Sequence, residues 1–331
     1  MRIILNITYN IYGIIKAKLF KVSYLLFLFS LLMLFPYIYY SVEEKIKDDI
    51  NKIEQIIPYP NELNWINIKN EFESLVYKYE YLIKIEKNVP ENSPIWMMWY
   101  QGIKYAPKLV LSCIQSVIVN RAKHHVYIIT KNNINKYIKL PSFITEKLKN
   151  GTFTITHFSD IVRMALLCKY GGYWIDSTYF ITTPLTKINK TFYTLKLERD
   201  YIHRNPFFAC KWSGNFIASP KNSFISVYGY LAFLYYWKKY NSLIDYFLLD
   251  YIIYIAYNSS SLFKNTVDNI PNTCNILSLA KSLNYEYNMF SFNCHINKLK
   301  WKYHYKLLKN KKKTNYAYLI ENYKFNISVV K

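Results

Sequence analysis

A single apolar segment, FSDIVRMALLCKYGGYWIDSTYF at residues 158–180, constrains the fold of this chain more than any other stretch. Within it, Ile161–Lys169 is apolar on nearly every side, which predicts a buried helix. Gly171 and Gly172 are expected to end that helix, because a glycine in the left-handed conformation is the usual terminator. The sequence YWID then predicts a strand, with Asp176 near its carboxyl end.

The polar residues of this segment are expected to meet at one place. Ser159 is predicted to cap the helix, with Asp160 in the first turn, where the helix dipole favours a carboxylate. Asp160 and Arg163 are three residues apart and therefore share a helix face. In open α/β sheets ligands bind outside the carboxyl ends of the strands, so Asp176 is expected to face the same pocket. The simpler alternative is a local Asp160–Arg163 ion pair, with Asp176 capping a turn.

The flanking sequence alternates between strand-like and helix-like patterns. PIWMMWY, from Pro94, predicts a buried strand, Pro107–Arg121 a helix, and His124–Thr130 a second strand. Later strands are predicted in FYTLKL and FIAS, and later helices over NNINKYI, Ser223–Tyr240 and Leu243–Tyr257. This alternation predicts an α/β domain whose mostly parallel sheet is flanked by helices.

The N-terminal part has a different character. Val22–Tyr40 contains 19 residues without a charge, which is about the length that spans a bilayer. It lacks a small-residue cleavage site, so it predicts an N-terminal hydrophobic anchor helix rather than a removed signal; a buried core helix is the alternative. We predict a membrane-associated segment over residues 1–42 and a helical stalk or lead-in over 43–90. The apolar face of that lead-in is predicted to be Leu63, Ile66, Phe72, Leu75, Val76 and Tyr79.

Charge and cysteine content narrow the possible partners. A net charge of +22 suits phosphates, anionic lipid or nucleic acid, although the abundance of Lys, Asn, Ile and Tyr is also what an AT-rich genome produces. Nucleic acid is not a predicted partner, because no basic block has regularly interleaved aromatic residues. The five cysteines form no CxxC pair and their number is odd, which argues against a disulfide framework and for a reducing compartment.

The segment at 158–180 resembles the S-D-x-x-R … G-G-x-Y/W-x-D-x-D signature of sugar transferases that contain the DXD sugar-binding region. It is most similar to the capsular polysaccharide synthesis branch, which is related to family 32 glycosyltransferases and, more distantly, to clostridial glucosylating toxins. The resemblance extends from PIWMMWYQG through GNFIASPKNSF to NKLKWK, or roughly Pro90 to Lys302. It implies a GT-A fold over residues 91–305, with a basic tail over 306–331.

The resemblance also implies residue roles in binding a nucleotide-diphosphate sugar. Trp99 would stack on the nucleobase, and Trp174 would line the nucleotide pocket. Asp160 would accept hydrogen bonds from sugar hydroxyls, and Arg163 would contact the sugar or a phosphate. Asp176 would bind hydroxyls, or a metal through water. Weaker donor-binding candidates are Ser159, Asn215 and Lys298.

One position departs from the signature, because Asp176-Ser177-Thr178 replaces D-x-D. The second Asp of that motif is the usual ligand of Mn²⁺ or Mg²⁺, hard ions that prefer charged oxygens. Thr178 is a poorer ligand, so the predicted metal cofactor is in doubt. Either another carboxylate completes the site, or Lys and Arg neutralise the diphosphate, with Lys298 and Lys300 as candidates.

The acceptor side is less constrained by the sequence. Asp245 and Asp250 are predicted to lie on one helix, and Asp245 is the favoured general base, with a plain surface role as its alternative. His157 and His295 stay undecided.

The predicted function is transfer of a sugar from the nucleotide-diphosphate donor to a glycan or lipid-linked acceptor in surface-polysaccharide synthesis. The predicted location is the cytoplasmic face of a bacterial inner membrane, and the alternative is the lumenal domain of a type II membrane protein. The alternative function is a catalytically decayed membrane protein that binds a sugar or a polyanion.

Overall fold

The computed structural model describes residues 22–30, 41–56, 64–185, 190–196 and 211–326. The chain divides into two compact units, Met1–Lys52 and Ile53–Lys331. Residues 22–30 are helical with exposed apolar side chains, and residues 41–54 are also helical. Residues 31–40, half of the predicted anchor, lie outside the described part. Within the described ranges, no helix combines the length and apolar character needed to cross a bilayer.

The strands that the structure describes in the second unit form three sheets. They are β1 Ile95–Met98, β2 Val126–Ile129, β3 Gly172–Ile175, β4 Tyr179–Ile181, β5 Tyr193–Thr194, β6 Phe216–Ser219, β7 Ile296–Lys298, β8 Leu308–Lys309 and β9 Lys312–Lys313. The central sheet has the order β2-β1-β3-β6-β5. β1 pairs in parallel with β2 and β3, whereas β6 is antiparallel to both β3 and β5. Only β6 therefore runs against the rest, which confirms the predicted mostly parallel sheet.

Helices cover both faces of this sheet. They are α1 Trp65–Tyr79, α2 Leu82–Ile85, α3 Lys108–Val119, α4 Ile134–Tyr137, α5 Ser142–Lys149, α6 Ile155–Tyr170, α7 Phe224–Lys239, α8 Leu248–Ser259, α9 Ser261–Asp268, α10 Ser278–Ser282 and α11 Asn315–Asn322. The core on one face joins α3 to alternate residues of the strands, such as Ile95, Met97 and Ile175. Trp96 points to the other face, where its indole donates to the carbonyl of Gly171 over 3.0 Å. On that face α6 packs on α7, and α7 packs on α1 and α8.

The double glycine that ends α6 is required by close backbone approach as well as by conformation. Gly171 has φ +67° and Gly172 has φ +99°. A Cβ on Gly172 would lie 2.2 Å from the carbonyl oxygen of Pro94, and one on Gly171 would lie 2.4 Å from the amide nitrogen of Lys221. The predicted role of the pair as helix terminator is confirmed, and the pair also lets β3 start directly beside β1.

Two predicted helix starts are wrong. α6 begins at Ile155 because Thr154 supplies a capping oxygen earlier, accepting from the amide of His157. Ser159 is therefore inside the helix, where its hydroxyl donates to the carbonyl of Thr156 over 2.6 Å. α8 begins at Leu248, not Leu243. Asp245 precedes it and accepts from the amide of Phe247 over 2.7 Å, so Asp245 and Asp250 do not share a helix.

Other predictions about burial and covalent structure are partly corrected. In α1, Phe72, Val76 and Tyr79 are buried as predicted, but Ile66 is 67% exposed, and Leu63 lies outside the described residues. The sequence argument against a disulfide framework missed one bond, because Cys274 and Cys294 are joined, with their Cα atoms 5.5 Å apart. The pairing depends on how the loop before α10 meets the start of β7, which Cys spacing does not reveal.

Replacing Gly172 by Ala is expected to destabilise the protein by more than about 3 kcal/mol, because a backbone atom occupies the space of the added methyl group. Gly102→Ala is the matched control, since Gly102 has the same φ of +99° but its nearest atom to a new Cβ is 3.9 Å away. That control should show only the conformational cost of about 1–3 kcal/mol for its backbone at φ +99° and ψ 144°. Urea denaturation of both variants measures the difference, and equal losses would show that the contact with Pro94 is unimportant.

Candidate functional site

The buried Arg163 bonds two carboxylates, Asp160 on α6 and Asp176 directly after β3. Nη1 of Arg163 donates to Oδ1 of Asp160 over 2.7 Å, and Nη2 donates to Oδ1 of Asp176 over 3.2 Å. The arginine side chain is only 3% exposed, and its guanidinium lies 5.0 Å from the ring centroid of Trp174. The structure thus places these predicted site residues together at the carboxyl edge of the sheet.

Asp176 accepts hydrogen bonds on both of its carboxylate oxygens. Oδ1 accepts from Arg163 and from Nε1 of Trp174 at 2.8 Å, and Oδ2 accepts from Nζ of Lys298 at 2.7 Å. Burial by itself would raise the pKa of Asp176, but the positive charges of Lys298 and Arg163 outweigh it and hold the pKa below its usual value. Asp176 is therefore ionised at neutral pH.

Trp174, which is predicted to line the nucleotide pocket, is almost fully buried. Its side chain is 1% exposed, so a nucleobase cannot stack on it. The indole instead donates a hydrogen bond to Oδ1 of Asp176, and its ring packs against the guanidinium of Arg163. Its position indicates that it orients the two charged residues.

Asp160 has the opposite electrostatic behaviour. Burial raises its pKa to about 6, helped by the charge of Asp176 and opposed by Arg163. Close by, Nδ1 of His157 lies 3.9 Å from Oδ2 of Asp160. Nε2 of His157 accepts from Nε1 of Trp237 over 2.9 Å, so that nitrogen carries no proton. Burial and the charge of Arg163 lower the pKa of His157 to about 4, so the imidazole is neutral and acts as packing behind Asp160.

Lys298 reaches the site because a small sheet holds it there. β7 pairs antiparallel with β4, and Lys298 lies opposite Tyr179. The amide of Lys298 donates to the carbonyl of Ile276 over 2.7 Å, and the amide of Leu299 donates to the carbonyl of Thr178 over 2.9 Å. The ammonium lies 4.8 Å from the centroid of the Tyr179 ring. The lysine is thus a positioned part of the site, although 122 residues separate it from Asp176.

Asn215 supports the turn that carries Asp176. Its backbone carbonyl accepts from the amide of Asp176 over 3.1 Å. Its side-chain oxygen accepts from the hydroxyls of Tyr179 and of Ser213, the latter over 2.7 Å. Through these hydrogen bonds Asn215 fixes the backbone that carries Asp176. Ser159 is half-buried on α6, one residue before Asp160.

Two tryptophans face each other at the same edge of the sheet. Trp99 directly follows β1, and its ring centroid is 5.4 Å from that of Trp301 in an edge-to-face arrangement. Nε1 of Trp99 is buried and has no hydrogen-bond partner among the described residues. Sequence reasoning missed Trp301, although it lies in the NKLKWK stretch that the resemblance included.

Asp250, rather than Asp245, is the acidic residue electrostatically linked to the site. Its Oδ1 accepts from Nε1 of Trp212 over 3.1 Å. Burial, helped by the charge of Asp160 and opposed by that of Arg163, raises the pKa of Asp250 to about 7. Asp245 instead borders a cavity of about 290 Å³ that is also lined by Trp65, Ile244, Tyr251 and Tyr254.

The residues present do not fit a carboxylate-based metal centre. Thr178 is half-buried where the signature has a second Asp, and both oxygens of Asp176 already have donors. Across the described ranges, no group of three or more His, Cys, Asp or Glu side chains is placed to hold a metal ion.

The fold and the cluster define an α/β protein with a charged site at the carboxyl edge of a mainly parallel sheet. The chain belongs to the capsular polysaccharide synthesis protein family, whose model matches residues 45–319. A solved structure described as "PaToxG Glycosyltransferase" is similar over 68% of this chain and 94% of its own, with 14% identity and a TM-score of 0.29. A comparison with curated proteins found no significant match.

The neutral state of His157 predicts a pH-dependent contribution to stability. Because its folded pKa of about 4 is below the ordinary value of 6.5, its contribution is complete above pH 6.5 and is lost as the pH falls toward 4. From pH 7 to pH 5, the wild type should lose roughly 2 kcal/mol relative to His157→Gln. Urea denaturation of both proteins across this range measures the difference. A difference that stays constant with pH would contradict the assignment of a neutral His157.

Proposed function

We propose that this protein is a glycosyltransferase whose donor site is the cluster of Asp160, Arg163, Asp176 and Lys298. The observation that carries the proposal is the buried guanidinium shared by two carboxylates at the sheet edge, in a member of a capsular polysaccharide synthesis family. Carboxylates accept hydrogen bonds from vicinal sugar hydroxyls, and guanidinium and ammonium groups bind phosphate oxygens. The cluster offers both chemistries within one site.

The two facing tryptophans are proposed to hold the nucleobase. Trp99 and Trp301 are both partly exposed at the sheet edge, and an aromatic face can stack on a base.

The proposed acceptor is a glycan or a lipid-linked glycan, whose hydroxyl meets Asp250. A carboxylate with a pKa of about 7 can accept a hydrogen bond from that hydroxyl and, in an inverting reaction, its proton. Asp245, the favoured sequence candidate for the base, instead accepts from the amide of Phe247, so the proposal assigns the proton-accepting role to Asp250.

The membrane association is retained as a proposal, supported by the uncharged stretch at 22–40 and by a charge of +22 that suits anionic lipid. The Cys274–Cys294 disulfide supports the lumenal arrangement over the cytoplasmic one, because disulfides persist in oxidising compartments. Protease accessibility on intact membranes distinguishes the two orientations.

Asp160→Asn and Asp176→Asn should each reduce sugar transfer by at least about 100-fold while the protein stays folded, because each removes a charge that orients Arg163. Asp48→Asn, at an exposed carboxylate that pairs with its helix neighbour Lys52, is the control and should keep full activity. The assay is release of nucleotide from a panel of UDP-, GDP- and dTDP-sugars with acceptor. Near-normal activity in either site variant would refute the donor-site assignment. Glycan binding without nucleotide release from any donor would favour the decayed binding protein.

Transfer by the wild type should rise as the pH rises through about 7, because Asp250 ionises in that range. Asp250→Asn should lose this rise together with at least about tenfold of the rate at pH 8. Asp245→Asn is the matched control, since an Asn oxygen still accepts from the amide of Phe247. The pH profile of initial rates decides, and a loss of the rise in Asp245→Asn alone would make Asp245 the acceptor-side carboxylate.

A further inference from the structure

The site has one acidic residue fewer than the D-x-D signature, and one lysine in direct contact with the acidic residue that remains. Thr178 occupies the second acidic position. Nζ of Lys298 lies 2.7 Å from Oδ2 of Asp176. Thr178 and Lys298 are neighbours in the structure, because the amide of Leu299, the residue after Lys298, donates to the carbonyl of Thr178.

The lysine is built into the fold rather than placed by chance at the surface. Its strand is paired with the strand that follows the Asp-Ser-Thr turn, and its backbone is bonded to Ile276 on the other side. The side chain is 20% exposed and that of Asp176 is 27% exposed, so both remain accessible to a ligand. An ammonium has three N–H donors, and among the described residues its only hydrogen-bond acceptor is Asp176.

Replacing two carboxylates and a divalent ion by one carboxylate and a lysine leaves the net charge of the site unchanged. Two carboxylates holding a divalent ion carry no net charge, and one carboxylate holding a lysine also carries none. The Thr178 and Lys298 pair therefore presents a diphosphate with the same local net charge as a metal-loaded pair of Asp residues. The guanidinium of Arg163 lies on the other oxygen of Asp176 and adds a second cation beside it.

We propose that Lys298 takes the place of the divalent metal ion, so that this protein binds and uses its nucleotide-diphosphate donor without a metal. This inference rests on the proposed function. In the transfer step, the bond between the anomeric carbon and the diphosphate oxygen breaks, and its electron pair stays on that oxygen. The acceptor oxygen forms the new bond to the anomeric carbon, and its proton passes to Asp250. Lys298 and Arg163 stabilise the charge that develops on the departing diphosphate.

The first test measures binding of UDP, GDP and dTDP to the full-length protein by calorimetry, with EDTA or with Mn²⁺. For the nucleotide that binds, the dissociation constants in the two conditions should agree within about twofold, which is a difference of less than about 0.5 kcal/mol. Lys298→Met should weaken that binding about 10- to 100-fold, the range for loss of a charge-assisted hydrogen bond. It should leave binding of the parent nucleoside unchanged. Lys306→Met, at an exposed lysine, is the control and should bind like the wild type.

The second test removes the lysine and introduces a second carboxylate, so that a metal ion can neutralise the diphosphate in its place. The double variant Lys298→Ala with Thr178→Asp should bind the nucleoside diphosphate at least about tenfold more tightly with Mn²⁺ than with EDTA, because it has the second carboxylate and lacks the competing ammonium. A merely structural role for Lys298 would not create this metal dependence.

The outcomes separate this inference from the proposed function. If the wild type binds a nucleoside diphosphate only with Mn²⁺, or if Lys298→Met binds as the wild type does, the inference is wrong and the donor site stands. If the double variant shows no effect of Mn²⁺, Thr178 and Lys298 do not occupy the place of the metal. If no nucleoside diphosphate binds in either condition, both the proposed function and the inference fail.

Discussion

The contacts of Arg163 are the interaction on which the rest of the site depends. A guanidinium that is 3% exposed is stable only when its charge is paired. Asp160 comes from its own helix, but Asp176 must come from the end of β3, and Trp174 must lie beneath the charge. These positions are possible only if the chain turns sharply from α6 into β3. The glycine pair at 171–172, which lets the backbone of that turn approach Pro94 and Lys221, is therefore a requirement of the site as well as of the sheet.

The same charge network gives the neighbouring acids different protonation behaviour. Asp176 is held ionised because two cations bond its two oxygens. The burial of Asp160 is offset mainly by Arg163 and less by the more distant charge of Lys298, and Asp250 is buried near the charge of Asp160. Asp176 stays ionised and can bind a ligand, whereas Asp160 and Asp250, with pKa values of about 6 and 7, can exchange protons near neutral pH.

The sequence predicted this site well where the interactions are local and poorly where they are distant. Asp160 and Arg163 are one helical turn apart, so their pairing follows from spacing alone, and the strand end after a glycine stop locates Asp176. The Lys298–Asp176 contact joins residues 122 positions apart, and its existence depends on the pairing of β4 with β7. The same limitation applies to Trp301 beside Trp99 and to the Cys274–Cys294 bond. The error at Ser159 has a local cause, since Thr154 is also a favourable capping residue and the helix begins at the earlier of the two.

The Asp-Ser-Thr turn and Lys298 form one structural feature because the small sheet couples them. The carbonyl of Thr178 accepts from Leu299, and Lys298 lies opposite Tyr179, so any movement of the turn moves the lysine with it. A second carboxylate at 178 would compete with Asp176 for the ammonium and would draw it away from the position that faces a diphosphate. A divalent ion next to Lys298 would in turn be repelled by it. A metal ion held by two carboxylates and a lysine held by one carboxylate therefore exclude each other electrostatically. The absence of a second acid at position 178 is consistent with the presence of Lys298. The Thr at this position is therefore better explained as part of a different way to neutralise a diphosphate than as a lost catalytic residue.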